Sequence, residues 1–291
     1  MKIVFRFIIL VVGIVVVAYW ALVASLPDVE TIENYRPEST VINLHNFNWE
    51  RGQVAPVQKY VSLSRISPEL RTAVIISEDD TFFGHSGINI NELKKAFQEN
   101  WQKKRYARGA STITMQVARN AFLTKKKSII RKVKEILLAK RLERVWTKQR
   151  IFEYYLNIAE WGPNVYGAEA AAYYYFNKPA AQLNLAEATL MAGILPNPIR
   201  LNPFVNWSGA RRRQARVLRL MRNARLISDV EYQDLLAQEV SLRGSEPKLV
   251  IDEIKTTPPP SIFDSSLQDA AIPESVRQQA DTTGIIFLPE E

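Results

Sequence analysis

Two glutamates and a file of cations are the residues whose types and spacing could do chemistry in this chain. Glu78 closes an otherwise apolar run in AVIISEDDTFFGHSG, residues 73–87, and is followed at once by Asp79 and Asp80. A carboxylate held half-buried there is suited to general-base work, because burial penalises its charged form and raises its proton affinity. The neighbouring aspartates add little directly, since adjacent helical residues do not face each other. Further along, Lys127, Arg131, Lys134 and Glu135 fall on one stripe of a helical segment, three cations beside a single carboxylate. Between them GASTIT, residues 109–114, concentrates small and hydroxyl residues, as a loop does where backbone amides and hydroxyls approach an anion. Gln116, Arg119 and Asn120 then share a helical face with hydrogen-bond donors pointing one way. Together these describe a site for a phosphate or pyrophosphate flanked by two carboxylates. Each piece alone also reads as scaffold: a solvated acidic helix end, an N-capped structural helix, and a charged face with ordinary i,i+4 pairs such as Arg131 with Glu135.

The elements that must position these groups are legible in part. Ser67 is a good N-cap, Pro68 suits the first helical position and Glu69 the positive helix end, so a helix starts there. Leu70, Ala73, Val74 and Ser77 lie on one face of it, with Glu78 just behind. In the segment 125–143, Ile129, Ile130, Val133, Ile136 and Leu137 form a stripe opposite the cations, which the pattern predicts to face the core. INELKKAFQENWQKKRYAR, residues 90–108, is basic and amphipathic with Leu93, Phe97 and Trp101 spaced at four, fit either to rest on an anionic membrane or to cover the core as a solvated helix. KQRIFEYYLN predicts a helix, GPN a turn, the alanine-rich stretch a second helix, and LAEATLMAGIL a buried helix stopped by Pro196 and Pro198.

With no cysteine, and His45 and His85 as the two histidines, the chain of 291 residues can form neither a disulfide nor a thiolate or histidine-rich metal site. Its net charge of +8 favours anionic partners. Residues 7–26, FIILVVGIVVVAYWALVASL, are long and apolar enough to cross a bilayer. Lys2 and Arg6 before this run, with Asp28 and Glu30 after it, place residues 1–6 in the cytoplasm and everything after Leu26 outside. A cleaved signal peptide competes, but the run exceeds a usual signal core and Ala-Ser-Leu-Pro is a poor cleavage site. Residues 27–66 read as a linker with short strands, residues 67–240 as the main domain, and residues 241–291 as an acidic, disordered or interacting tail. From Glu246 on, three basic and nine acidic residues give −6, leaving +14 on the rest. Arg212, Arg216 and Arg219 share a helical face that is solvated or lipid-facing, because an outward-facing domain meets no nucleic acid.

EDDTFFGHSG, GASTITMQVARN, RKVKE, KQRIFEYYLN and ATLMAGILPNP occur here in the order of the five motifs of the peptidoglycan glycosyltransferases, and the chain most resembles their monofunctional biosynthetic transglycosylases over about residues 59–225. The resemblance implies a mainly α, lysozyme-like, two-lobed glycosyltransferase domain behind one N-terminal transmembrane helix, with residues 88–108 in a membrane-embedded jaw. It implies polymerisation of lipid II with inversion, the acceptor's 4-hydroxyl attacking the anomeric carbon of the lipid-pyrophosphate-linked donor. Glu78 matches the general base and Glu135 the second glutamate. Arg119, Lys127, Arg131 and Lys134 match positions that contact the pyrophosphate, while Ser111, Thr112 and Gln116 belong to the same loop and helix. The implied partners are lipid II, the growing glycan chain, the membrane and other cell-wall synthesis proteins, and a divalent cation, magnesium or manganese, is a candidate companion of the pyrophosphate. The implied location is the bacterial plasma membrane, with the domain on the outer side.

Three positions depart from the family pattern: Asn89 stands for an aspartate, Met115 for the first of two glutamines, and Arg119 for a lysine. A lysozyme-like hydrolase would also use a buried glutamate but has no pyrophosphate to hold. A membrane-tethered, non-catalytic cell-wall scaffold would not need both glutamates.

Overall fold

The computed structural model describes residues 2–29, 44, 49, 56–103, 110–124, 126 and 128–244, without the side chains of Lys2, Phe97 and Asn100. Lys127, His45 and the stretch from Ser245 to the end, which includes nearly all of the expected tail, lie outside the described residues. The described chain is mainly α, as expected, with small strands confined to one three-stranded sheet.

Helix α1 runs Lys2–Ala24. Its stretch Ile3–Ala24 has a mean hydropathy of 2.9 and no buried residue, which makes it long and apolar enough to cross a membrane. It starts earlier than residue 7, since nothing between Lys2 and Arg6 breaks a helix, and ends before Leu26. There the Ser25 hydroxyl donates to the Leu22 carbonyl at 2.7 Å, and Pro27 follows.

The described residues divide into two compact units. One gathers α1 with residues 85–158, which form α3 (Ile90–Gln102), α4 (Ile113–Phe122), α5 (Ile129–Val145) and α6 (Lys148–Ile158). Helix α4 is the centre of this unit and packs on both α5 and α6. Its N-cap is Thr112, whose hydroxyl oxygen accepts from the Met115 amide at 3.1 Å and donates to the Gly87 carbonyl at 2.7 Å. Gly87 sits at φ +82°, and a Cβ there would lie 2.9 Å from the Ala139 carbonyl oxygen of α5. Glycine is therefore required twice over, by the backbone and by the close approach. Arg141 of α5 donates to the Val23 carbonyl at 3.2 Å, tying α5 to the end of α1.

The apolar stripe expected to face the core on α5 does not. Ile129 is 85%, Ile130 64% and Val133 39% exposed, while the buried face consists of Glu135, Leu138, Ala139 and Leu142. Periodicity identifies which residues share a face but not which face a neighbour covers. On α3, Leu93 and Trp101 are exposed alongside Lys94 and Lys95.

The other unit holds the described residues from 44 to 84 and from 159 to 244. Helix α2 (Pro68–Glu78) is capped by the Ser67 hydroxyl, which accepts from the Leu70 amide at 3.2 Å, with Pro68 at the first turn as the sequence requires. It buries Leu70, Ala73, Val74, Ile75 and Ile76 and packs on α8 (Leu185–Ile194) and α9 (Trp207–Asn223). Nine of the ten α8 residues are buried, behind a capping box of Asn184 and Glu187. Gly193 lets α9 approach, since a Cβ there would lie 2.9 Å from the Arg213 backbone. Strand β3 (Val165–Tyr166) pairs antiparallel with β2 (Glu160–Gly162) and parallel with β1 (Val57–Gln58). Helices α7 (Ala168–Phe176) and α10 (Asp229–Ala237) complete the unit.

Within the stretch 27–66, Leu44, Trp49, Val57, Val61 and Ile66 are all buried, so where it is described this segment is packed rather than a bare tether. At the far end, the Arg243 amide donates to the Tyr175 carbonyl at 2.7 Å and its Nε to the Tyr174 carbonyl at 3.1 Å. Residues 241–244 are thus fastened to α7 instead of opening the tail.

Candidate functional site

Glu78 is the last residue of α2 and is half-buried. The helix stops immediately after it, because Asp79 turns to φ −164°, ψ 77° and the chain enters the short 3-10 turn Phe82–Gly84, anchored by the fully buried Phe82. Six buried residues on the preceding turns fix the direction of α2, so Glu78 is carried on a rigid element.

The second group of residues belongs to the α1-containing unit and converges on Glu135. This carboxylate is 1% exposed. Its Oε1 accepts from Lys132 Nζ at 2.6 Å, and its Oε2 lies 3.8 Å from Arg131 Nη1. That second oxygen accepts no hydrogen bond among the described residues. Lys132 Nζ also donates to Ser111 Oγ at 2.8 Å, so the small-residue loop before α4 and the charged turn of α5 meet at one ammonium group. The buried carboxylate is thus paired with two cations, and Lys132, 38% exposed, keeps part of its side chain towards solvent.

Beside this cluster, Arg119 Nη2 donates to Gln116 Oε1 at 3.4 Å and Arg119 Nε to Asn120 Oδ1 at 3.2 Å, while the Tyr155 hydroxyl of α6 is 3.4 Å from the same Gln116 oxygen. Gln116 and Arg119 therefore share one hydrogen-bonded edge of α4. Thr112 is buried, and its hydroxyl is used for the α4 cap and the Gly87 carbonyl. Lys134 is half-buried and makes no hydrogen bond or ion pair with a described residue. Ser111, Arg131 and Glu135 are thus brought together, Gln116 pairs with Arg119, Lys134 has no hydrogen-bond or ion-pair partner among the described residues, and Glu78 is carried by the other unit.

The family model for Transglycosylase matches residues 47–222. The chain belongs to the transglycosylase family. A biosynthetic peptidoglycan transglycosylase of Dechloromonas aromatica (strain RCB) is 48% identical over 141 residues, covering 48% of this chain and 61% of the relative. One of Herminiimonas arsenicoxydans is 41% identical over 196 residues, covering 66% of this chain and 85% of the relative. The chain thus spans a little under two thirds of the first relative's length and most of the second's. Penicillin-binding protein 1A from Haemophilus influenzae matches structurally over 64% of this chain and 18% of its own, with 22% identity and a TM-score of 0.40, too loose a superposition to bear on the site.

Membership makes the chain an enzyme of glycosyl transfer, and the structure gives a local reason for each departure from the family pattern. Asn89 caps α3, its Oδ1 accepting from the Glu92 amide at 2.9 Å, a role asparagine and aspartate fill equally well. Met115 is fully buried on α4, where a thioether packs without the hydrogen bonds an amide would need. Arg119 keeps the cationic charge on the Gln116 edge.

Lys132 is the residue that the sequence pattern missed. The stripe of Lys127, Arg131 and Lys134 does not include it, although Lys132 and Glu135 are three apart, the spacing at which helical side chains meet. A second cluster has no local sequence signal: Glu143 of α5 accepts from both Thr114 of α4 and Lys148 of α6, joining the three helices.

Among the described residues no group of three or more histidine, aspartate or glutamate side chains could hold a metal ion. Glu135 already faces two cations. The side chains at this cluster do not fit a protein-held divalent cation.

Proposed function

We propose that the enzyme polymerises lipid II into β-1,4-linked glycan strands, releasing the polyprenyl pyrophosphate. The observation that carries this reading is the Ser111–Lys132–Glu135–Arg131 cluster, a buried carboxylate between two cations at the edge of a small-residue loop. In the reaction, Glu78 accepts the proton of the acceptor's 4-hydroxyl as that oxygen attacks the anomeric carbon of the donor with inversion. The bond from that carbon to the pyrophosphate oxygen breaks, and the leaving group gains negative charge. Arg131, Lys132 and Lys134, with Arg119 and Lys127, are the cations assigned to that charge, which grows towards the transition state. Glu135 holds Lys132 and Arg131 in place and assists departure of the leaving group. Ser111 and Gln116 serve as polar contacts, and Thr112 sets the start of α4. A divalent cation, where one takes part, would ride on the phosphate oxygens of the substrate.

The apolar α1, bound to α5 through Arg141, supports an enzyme held at the membrane that contains its lipid-linked substrates, with the domain on the outer face of the bacterial plasma membrane. Labelled lipid II incubated with the detergent-solubilised protein tests the reading: a polymer sensitive to moenomycin is expected, and none would refute it.

A further inference from the structure

Helices α8 and α9 are joined by LPNPIRLNPFVN, residues 195–206, and this connection leaves apolar side chains in the open. Val205 is 85%, Ile199 56% and Phe204 41% exposed, and Trp207 at the start of α9 is 38% exposed. Asn206 Nδ2 donates to the Arg200 carbonyl at 2.9 Å, so Ile199 and Arg200 are folded back against the residues that open α9. The Phe204 ring is supported by Tyr174 and Tyr175, at 5.3 and 5.7 Å between centroids. Arg200, beside Ile199, and Arg212, on the second turn of α9, are exposed cations. The described chain ends at the same place: the Arg243 guanidinium is 5.9 Å from the centroid of the Phe204 ring, and Gly244 follows at φ +73°.

We infer that the first part of the acidic tail, EPKLVIDE at residues 246–253, docks on this patch. The segment is complementary to it in two ways. Leu249, Val250 and Ile251 are three consecutive apolar residues, and removing them together with Ile199, Phe204 and Val205 from water is favourable in proportion to the area covered. Glu246 precedes them and Asp252 and Glu253 follow, acids placed to meet Arg200 and Arg212; with Lys248 the eight residues carry three negative charges and one positive, hence −2, against +14 on the chain before them. Leu249 lies five residues beyond Gly244, a reach of at most about 17 Å, and so short a tether holds the segment near the patch at an effective concentration of about a millimolar. The docked segment continues the contact that Arg243 already makes with Phe204. A second copy of the chain and an anionic lipid surface are the competing occupants. The tethered segment is favoured because it supplies both the apolar and the acidic groups from within the same chain. The inference does not depend on the reaction proposed above.

The chain has no cysteine, so a single disulfide can report the contact. The test uses the full-length protein in detergent with Val205→Cys and Val250→Cys, oxidised mildly, the fraction closed within one chain being read by mass after the remaining thiols are alkylated. Closure of most molecules is expected. Adding Glu246→Lys, Asp252→Lys and Glu253→Lys should slow closure by roughly fivefold, and further adding Arg200→Glu and Arg212→Glu should restore the rate to within about twofold. The restoration separates docking at these two arginines from loose tethering near a basic domain, which the exchange would not rescue. A closure rate unchanged by the reversal, or a slow rate that the exchange fails to restore, would overturn the inference. Disulfides between chains would overturn it in favour of a second copy. Closure in detergent that is lost on vesicles of phosphatidylglycerol would overturn it in favour of lipid.

Discussion

Lys132 Nζ lies 2.6 Å from Oε1 of Glu135, a carboxylate that is 1% exposed. This contact, three residues apart on α5, makes Lys132 serve two purposes: it neutralises a charge that would otherwise be buried beside one arginine, and it presents the rest of its own charge at the site. Lys134, next to Glu135 in sequence, makes no hydrogen bond or ion pair with a described residue, so its charge has no such structural use.

The two lysines should therefore separate in experiment. Lys134→Ala is expected to lower the rate of lipid II polymerisation by roughly ten- to a thousandfold with little change in thermal midpoint, as for loss of one charge-stabilising contact. Lys132→Ala should lower both the rate and the stability, the latter by about 1–2 kcal/mol, less than for a fully buried pair because Lys132 is partly exposed and Arg131 remains. Rate assays beside denaturant unfolding of both variants decide it. A Lys132→Ala protein as stable as wild type would show that the contact with Glu135 is not structural.

Asn89→Asp should leave stability and polymerisation close to wild type, because both residues cap a helix through a side-chain oxygen. Asn89→Ala, which removes the acceptor for the Glu92 amide, should cost about 1 kcal/mol in chemical denaturation. A large loss with aspartate would mean that asparagine at this position is needed for more than the cap.

Gly87→Ala should destabilise by about 1–3 kcal/mol, since it forces a left-handed backbone on a residue with a Cβ and pushes that Cβ against the Ala139 carbonyl. Unfolding midpoints measure this. An alanine variant as stable as wild type would mean that the turn rearranges freely.

Much of this was legible from residue types. The start of α2 followed from Ser67 and Pro68, and its buried face from Leu70, Ala73 and Val74, because capping and helical period are local properties. The cation-rich character of the site was legible in RKVKE, but its register was not. The pattern picks out Lys134 rather than Lys132 and turns the Ile129–Val133 stripe towards the core, since both depend on which side of α5 meets α4. Thr112 offered a hydroxyl for a ligand by its type alone; the carbonyl of Gly87, 25 residues earlier, is the partner that no local pattern announces. Arg243 shows the same limit, because its partners on α7 lie almost 70 residues away.

Because residues 241–244 are fastened to α7, deleting the chain after Gly244 should leave polymerisation intact, while Arg243→Ala should cost about 1–2 kcal/mol through the loss of its hydrogen bond to the Tyr174 carbonyl and its packing over Trp49 and Phe204. Thermal unfolding and polymer yield for the two proteins test this together. A large loss of activity on deletion after Gly244 would show that the acidic segment acts on the site.

The most direct measurement follows lipid II polymerisation and cleavage of purified sacculi in parallel, for the wild type and for Glu78→Gln. The variant keeps the shape of the side chain and removes the proton acceptor. Polymer from lipid II with no cleavage of sacculi is predicted for the wild type, and a fall in polymerisation of at least about a hundredfold for Glu78→Gln. Cleavage of sacculi without polymer, or near wild-type polymerisation by Glu78→Gln, would contradict a transferase that uses Glu78 as its base.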